Sequence, residues 1–221
     1  MLPTSTVGRK LLMAATGQMM VLFVLGHVAG NSTIFFGKIN AYAAGLHALP
    51  FLVWAVRLVM LAAVTFHIFY AIRLKLENNS ARPISYVKKK ELESTFGGRN
   101  MVWTGAIIGT FLVYHLLHFT FQVIDPSTAA LTHPDAAGRP DVFLMVARGF
   151  QRTGIAAGYL FAVMALWLHL SHGIQSSFQT FGLNGELSFP SIRKGSSLAA
   201  IALLAAYASI PVAIFAGLLL R

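Results

Sequence analysis

Between Met101 and Ile124 the chain reads MVWTGAIIGTFLVYHLLHFTFQVI, a run without Asp, Glu, Lys or Arg. About 20 mostly apolar residues in helical form are enough to cross the hydrocarbon of a bilayer, and this run exceeds that. Four more stretches of the same kind surround it, roughly 11–30, 51–72, 143–171 and 197–220. With 101–124 they predict an all-α integral membrane bundle of five transmembrane helices, forming a single domain over residues 1–221.

Composition agrees with that reading. Of 221 residues, 56% are hydrophobic and 11% charged, and the mean hydropathy is +0.67. A soluble domain of this length is far more polar. No cysteine is present, which excludes disulfides, thiolate metal sites and cysteine-ligated iron–sulfur clusters. The formal charge of +10 would suggest nucleic acid as a partner for a soluble protein. Here the cations sit in short segments beside apolar runs, so they report topology and not nucleic-acid binding.

Those segments divide unevenly. Arg9, Lys10, Arg73, Lys75, Arg82, Lys88, Lys89, Lys90, Arg99, Arg193 and Lys194 fall on one side of the five spans. Lys38, Arg139, Arg148, Arg152 and Arg221 fall on the other. The positive-inside rule then puts the N-terminus and the 73–100 loop in the cytoplasm. Arg9 and Lys10 ahead of an apolar run ending near Ala29-Gly30 could be read as a secretory signal. The run is longer than the roughly 7–15 residues of a signal core, and four spans follow it. On the outer side, Ile39 to Leu49 reads as a short interfacial helix, and Asp125 to Asp141, with Pro126, Pro134, Gly138 and Pro140, as irregular backbone.

Ionisable side chains inside a span are costly, which makes each one a functional candidate. His27, His67, His115, His118 and His169 lie in or near the ends of four spans, with His172 closing the fourth. At 1.5 Å of rise per residue, His27 lies about 24 Å along an outward-running helix and His115 about 21 Å along another. His67 lies about 24 Å along an inward-running helix, and His169 late in the fourth span, which also runs inward. Depth therefore pairs His27 with His115 toward the outer face and His67 with His169 toward the cytoplasm. A lone intramembrane histidine is more often a packing group, but four at two matched depths suit two haem irons, each held between two imidazoles. Zinc suits the pattern less, because the pairs lie too far apart to share an ion and no carboxylate completes either one.

His115 and His118 project from nearly one helix face, as do His169 and His172, so periodicity alone leaves the ligand of each couple open. The histidine left over would contact a haem propionate or a quinone carbonyl. Arg57 within the second span, and Arg148 and Arg152 at the start of the fourth, are candidate propionate partners, with interfacial snorkelling the competing role for the latter two. Gly17, Gly26, Gly105, Gly109 and Gly158 would let helices or a flat macrocycle approach closely. No Asp or Glu lies in the middle of a span, so no carboxylate relay for protons crosses the membrane.

Several motifs carry a resemblance to a known family. The first span has Thr16-Gly17, Phe23, His27 and Gly30-Asn31, followed by Asn40-Ala41-Tyr42. Phe66-His67-Ile68-Phe69-Tyr70, Tyr114-His115-Leu116-Leu117-His118 and Leu168-His169-Leu170-Ser171-His172-Gly173 come after it. In order and depth these resemble the di-haem cytochrome b membrane anchor of succinate:quinone oxidoreductases, the succinate dehydrogenase and fumarate reductase complexes, in its single-chain five-helix form. The resemblance spans nearly the whole chain. It implies His27, His67, His115 and His169 as axial ligands of two haem b groups. It also implies quinone, in this type menaquinone, as electron partner, and the bacterial cytoplasmic (inner) membrane as location. A flavoprotein and an iron–sulfur subunit would dock on the 73–100 and 174–196 loops and carry all dicarboxylate chemistry. His47 becomes a quinone-side candidate, with an exposed loop histidine as the competing reading. Two rivals remain: a cytochrome b anchor of another respiratory enzyme, which would place its ligands on other helices, and a haem-free transporter.

Overall fold

Burial of backbone polar groups dictates the architecture, because a chain in hydrocarbon must satisfy each N–H and C=O within its own helices. The computed structural model describes residues 5–81, 95–130 and 133–219. It contains α1 (Thr6–Asn31), α2 (Ile39–His47), α3 (Pro50–Ser80), α4 (Phe96–Arg99), α5 (Met101–His115), α6 (Val142–Phe150), α7 (Thr153–Thr180) and α8 (Phe189–Phe215). Among the described residues no strand forms, only an isolated bridge between Pro134 and Pro140. Five helical segments are long and apolar enough to cross a membrane: Thr6–Phe36, Pro50–Ser80, Met101–Thr120, Thr153–Thr180 and Phe189–Phe215. The fold is an all-α bundle of multi-pass membrane character.

Helix ends follow local chemistry. Ser5 accepts from the Gly8 amide to cap α1, Thr95 from Gly98 to cap α4, and Asp141 from Leu144 to cap α6. Pro50 opens α3, where its missing N–H costs nothing. The fourth span differs from the expected 143–171. Residues Val142–Phe150 form the separate α6, and Arg152 takes an extended conformation (φ −82°, ψ 114°) before α7 begins. The break exists because α6 is amphipathic, burying Met145, Ala147, Gly149 and Phe150 while Arg148 faces outward.

The third span also stops short of Ile124. α5 continues as a π turn over Leu116–Thr120, and the helix then ends, with Gln122 at φ +56° and its side chain accepting from the Ala130 amide. The expected 174–196 loop shrinks to Phe181–Ser188, since α7 and α8 extend into it. Of the 73–100 loop, residues 73–80 belong to α3 and 96–99 to α4. Arg82, Lys88, Lys89, Lys90 and Arg221 lie outside the described residues.

Packing is tightest between α7 and α8, then between α1 and α3, with α1 and α5 each lying against α7. Two apolar clusters result. One joins Ile34, Ile39, Phe150, Tyr159, Ile210 and Ile214 at the end away from Arg9. The other joins Val28 of α1 to Leu170 and Ile174 of α7 and Ala200 and Leu203 of α8. α3 buries Ala63, Tyr70 and Leu74 but exposes Phe51, Trp54, Leu61, Phe66 and Phe69, as a lipid-facing helix does. Below, the end bearing Arg9 is called inner and the opposite end outer. At the inner end Arg9 pairs with Glu77 at 3.0 Å, tying α1 to α3.

At the outer end Asn40 clamps α2 to the loop before α6. Its amide nitrogen donates to Asp141 at 2.9 Å and to Asp135 at 3.3 Å, while its oxygen accepts from the Phe143 amide at 2.8 Å. Asn40→Ala removes all three bonds, at a cost of about 1–3 kcal/mol for the groups left unpaired. Limited proteolysis should then cut the 133–141 loop of the variant faster than that of the parent. Arg139 beside Asp135 also holds that carboxyl at about 2, below its ordinary 3.8. A depressed carboxylate stabilises the fold above its ordinary value, and the contribution is lost as pH falls through the depressed one. Protection of the loop in hydrogen exchange should therefore persist at pH 4 and fade only as pH approaches about 2.

Candidate functional site

Four helices carry the intramembrane imidazoles, and the structure brings them together in two couples. His27 near the end of α1 and His115 at the end of α5 have ring centres 5.9 Å apart at 90°. His67 of α3 and His169 of α7 have ring centres 6.4 Å apart at 64°. Two imidazoles sharing one metal atom, with bonds of about 2 Å and ring centres about 1.2 Å behind each nitrogen, stand roughly 6.4 Å apart. Both couples match that spacing. Among the described residues no group of three or more His, Asp or Glu side chains comes together, so a closed zinc site is not formed there.

The inner couple is held by hydroxyls and a carbonyl. His67 Nδ1 lies 3.1 Å from the Met13 carbonyl and 3.5 Å from Thr16 Oγ1. A carbonyl only accepts, so Nδ1 carries the proton and Nε2 keeps its lone pair. His169 Nδ1 lies 3.0 Å from Thr104 Oγ1, whose own proton goes to the Asn100 or Met101 carbonyl at 3.1 or 3.2 Å. The hydroxyl therefore accepts from Nδ1–H, and Nε2 of His169 is again a free donor atom. A Cβ on Gly17 would sit 3.3 Å from the His67 ring, and one on Gly105 3.5 Å from the His169 ring. Gly17 gives the His67 ring its room, while a methyl at Gly105 would make only ordinary contact. At Gly26, Gly109 and Gly158 an added Cβ would meet nothing within 4 Å.

The outer couple has richer surroundings. His27 stacks on Phe23 at 5.5 Å, and its Nε2 lies 3.1 Å from the Asn31 amide nitrogen. Ligation through that nitrogen requires the Asn31 amide to turn away, so His27 is the least open of the four. His115 Nδ1 lies 3.3 Å from the Tyr159 hydroxyl of α7. His118, buried in the π turn, stacks on Phe119 at 4.0 Å and reaches the same hydroxyl at 3.0 Å. Once the Asn31 amide turns away from His27, the donor set suits two bis-imidazole irons.

The other expected residues are placed differently. His172 is half-buried against α4, with Thr95 Oγ1 3.1 Å from its Nδ1 and Gly98 beneath its ring. Arg152 forms an ion pair with Asp125 at 2.8 Å, which commits it to the loop after α5. The Ser127 hydroxyl and Arg152 together hold the Asp125 carboxyl below its ordinary range. Arg57 lies exposed on α3 with its guanidinium over the Trp54 ring at 5.2 Å, and Arg148 is exposed on α6. Neither makes an ion pair among the described residues. His47 is exposed at the end of α2.

Tyr159, Thr104 and Asp125 were not among the candidates from sequence, and Thr16 entered there only within the Thr16-Gly17 motif. A tyrosine inside an apolar span was the one available signal, since its hydroxyl needs a partner there. No family model, curated protein or solved structure matches the chain.

Close backbone approach at α4 gives a test of this arrangement. A Cβ on Gly97 would lie 2.7 Å from the Leu168 carbonyl, which cannot move without shifting α7 next to His169. Gly97→Ala should cost about 1–3 kcal/mol as overpacking. Gly105→Ala meets only ordinary contact and should be near neutral, so thermal unfolding in detergent should separate the two variants clearly.

Proposed function

We propose that this chain is the di-haem cytochrome b membrane anchor of a succinate:quinone oxidoreductase, passing electrons between an iron–sulfur subunit and the quinone pool. The observation that carries the proposal is the pair of imidazole couples, at two depths and each at the spacing of one shared metal atom. His67 and His169 hold the inner haem b in this reading, and His27 and His115 the outer one. Haem iron between two imidazoles supplies one-electron transfer without a vacant position for oxygen.

The chain's own residues do the rest. Met13, Thr16 and Thr104 hold the inner rings through Nδ1, which leaves each Nε2 lone pair free for iron. Gly17 keeps a side chain out of the space beside the His67 ring. Apolar side chains of α1, α3, α5 and α7 exclude water, which favours transfer of electrons over side chemistry. Menaquinone is the proposed quinone, and the bacterial cytoplasmic membrane the proposed location. The flavoprotein and iron–sulfur subunits would meet the inner end, where Lys10, Arg73, Lys75, Arg99, Arg193 and Lys194 lie. The dicarboxylate chemistry belongs to those partners. Arg57 and Arg148, exposed and without ion pairs among the described residues, stand as the cations for haem propionates.

Purified protein should show a reduced b-type absorption spectrum, with a haem assay giving two haems per chain. His67→Ala should remove the inner centre and His27→Ala the outer, each leaving about half of the haem. A protein without haem, or both substitutions removing the same centre, contradicts the proposal.

A further inference from the structure

The two couples differ in what stands behind them. At the inner couple each Nδ1 has its own acceptor, the Met13 carbonyl for His67 and the Thr104 hydroxyl for His169. At the outer couple one hydroxyl serves two histidines of the same helix. Tyr159 Oη lies 3.3 Å from Nδ1 of His115 and 3.0 Å from Nδ1 of His118. The ring that carries this hydroxyl is locked, with Phe111 and Phe150 meeting it edge-on at 4.8 and 4.9 Å.

A phenol has a single proton to give and lone pairs to accept with. With both histidines neutral and no other hydrogen-bond partner for this hydroxyl among the described residues, its proton goes to one Nδ1 and it accepts from the other. The two arrangements have opposite consequences. If Tyr159 accepts from His115, the Nε2 of His115 is a bare lone pair, and Tyr159 gives its proton to His118 Nδ1. His118 then carries its own proton on Nε2 and cannot bind a metal there. In the reverse arrangement His118 has the bare Nε2 and His115 is blocked. Position breaks the tie, because His115 is the one that faces His27, at 5.9 Å, while His118 is buried against Phe119 and Gly149.

We propose that Tyr159 is the positioning residue that commits His115, and not His118, to the outer iron, by fixing the tautomers of both histidines with one hydroxyl. This rests on the di-haem reading above. Accepting from Nδ1–H makes the His115 imidazole a stronger donor and so stabilises the oxidised iron of that centre. The inner centre, which does not touch Tyr159, is independent of it.

Tyr159→Phe keeps the ring and deletes the hydroxyl, so the test is a potentiometric titration with low-temperature EPR of the purified protein. The expected result is a midpoint potential of the outer centre shifted upward and an altered low-spin signal, with the inner centre unchanged. Thr104→Val should do the converse, moving the inner centre alone. An outer signal and potential identical to the parent's overturn the proposal. If Tyr159→Phe assembles without its outer haem, His118→Ala decides. Two retained haems with an altered outer signal support the assignment, and loss of the outer haem or an unchanged outer signal overturns it. A parent protein without haem refutes the di-haem reading itself, whatever the role of Tyr159.

Discussion

Water is the usual partner of an imidazole, and in the hydrocarbon of a membrane there is none. Each nitrogen of a buried histidine must be paired within the protein or with a ligand, since an unpaired polar group there costs several kcal/mol. The bundle is organised around that constraint. At the inner couple, Met13, Thr16 and Thr104 account for both Nδ1 atoms, leaving both Nε2 atoms with no polar protein partner among the described residues. In the proposed di-haem reading, a shared iron is the partner of both.

The helices supply distance, and the small residues supply room. α3 meets the bundle chiefly through α1, while its His67 ring extends to within 6.4 Å of the His169 ring on α7. Glycine at position 17 lets the His67 ring lie against the α1 backbone. The large aromatic side chains of α3 point outward and meet lipid instead. The outer couple lies where α5 loosens into a π turn, a form of helix often found at functional sites. That turn brings His118 onto the Tyr159 hydroxyl beside His115, and the Asp125–Arg152 pair closes the outer end behind it.

Much of this could be read from residues alone, and the reason is physical. Hydropathy is a property of composition over about 20 positions, so the existence of five spans needs no knowledge of contacts. Depth needs only the helical rise, and the meetings of His27 with His115 and of His67 with His169 follow the depth arithmetic. Helix ends were less legible. The break at Gln151-Arg152 separates an amphipathic helix from a transmembrane one, and both are apolar enough to be read as one run. The partners behind the rings were hidden for a different reason. Whether Thr104 or Tyr159 touches a histidine on another helix depends on how each helix is rotated, which depth and periodicity leave undetermined.

The most direct measurement is a density map of the purified protein at a resolution that separates side chains. The account predicts flat density between His67 and His169, and again between His27 and His115, with each ring's Nε2 about 2 Å from its centre. Rings joined instead to each other through water, or separated by lipid or neighbouring side chains with no macrocycle between them, would contradict it.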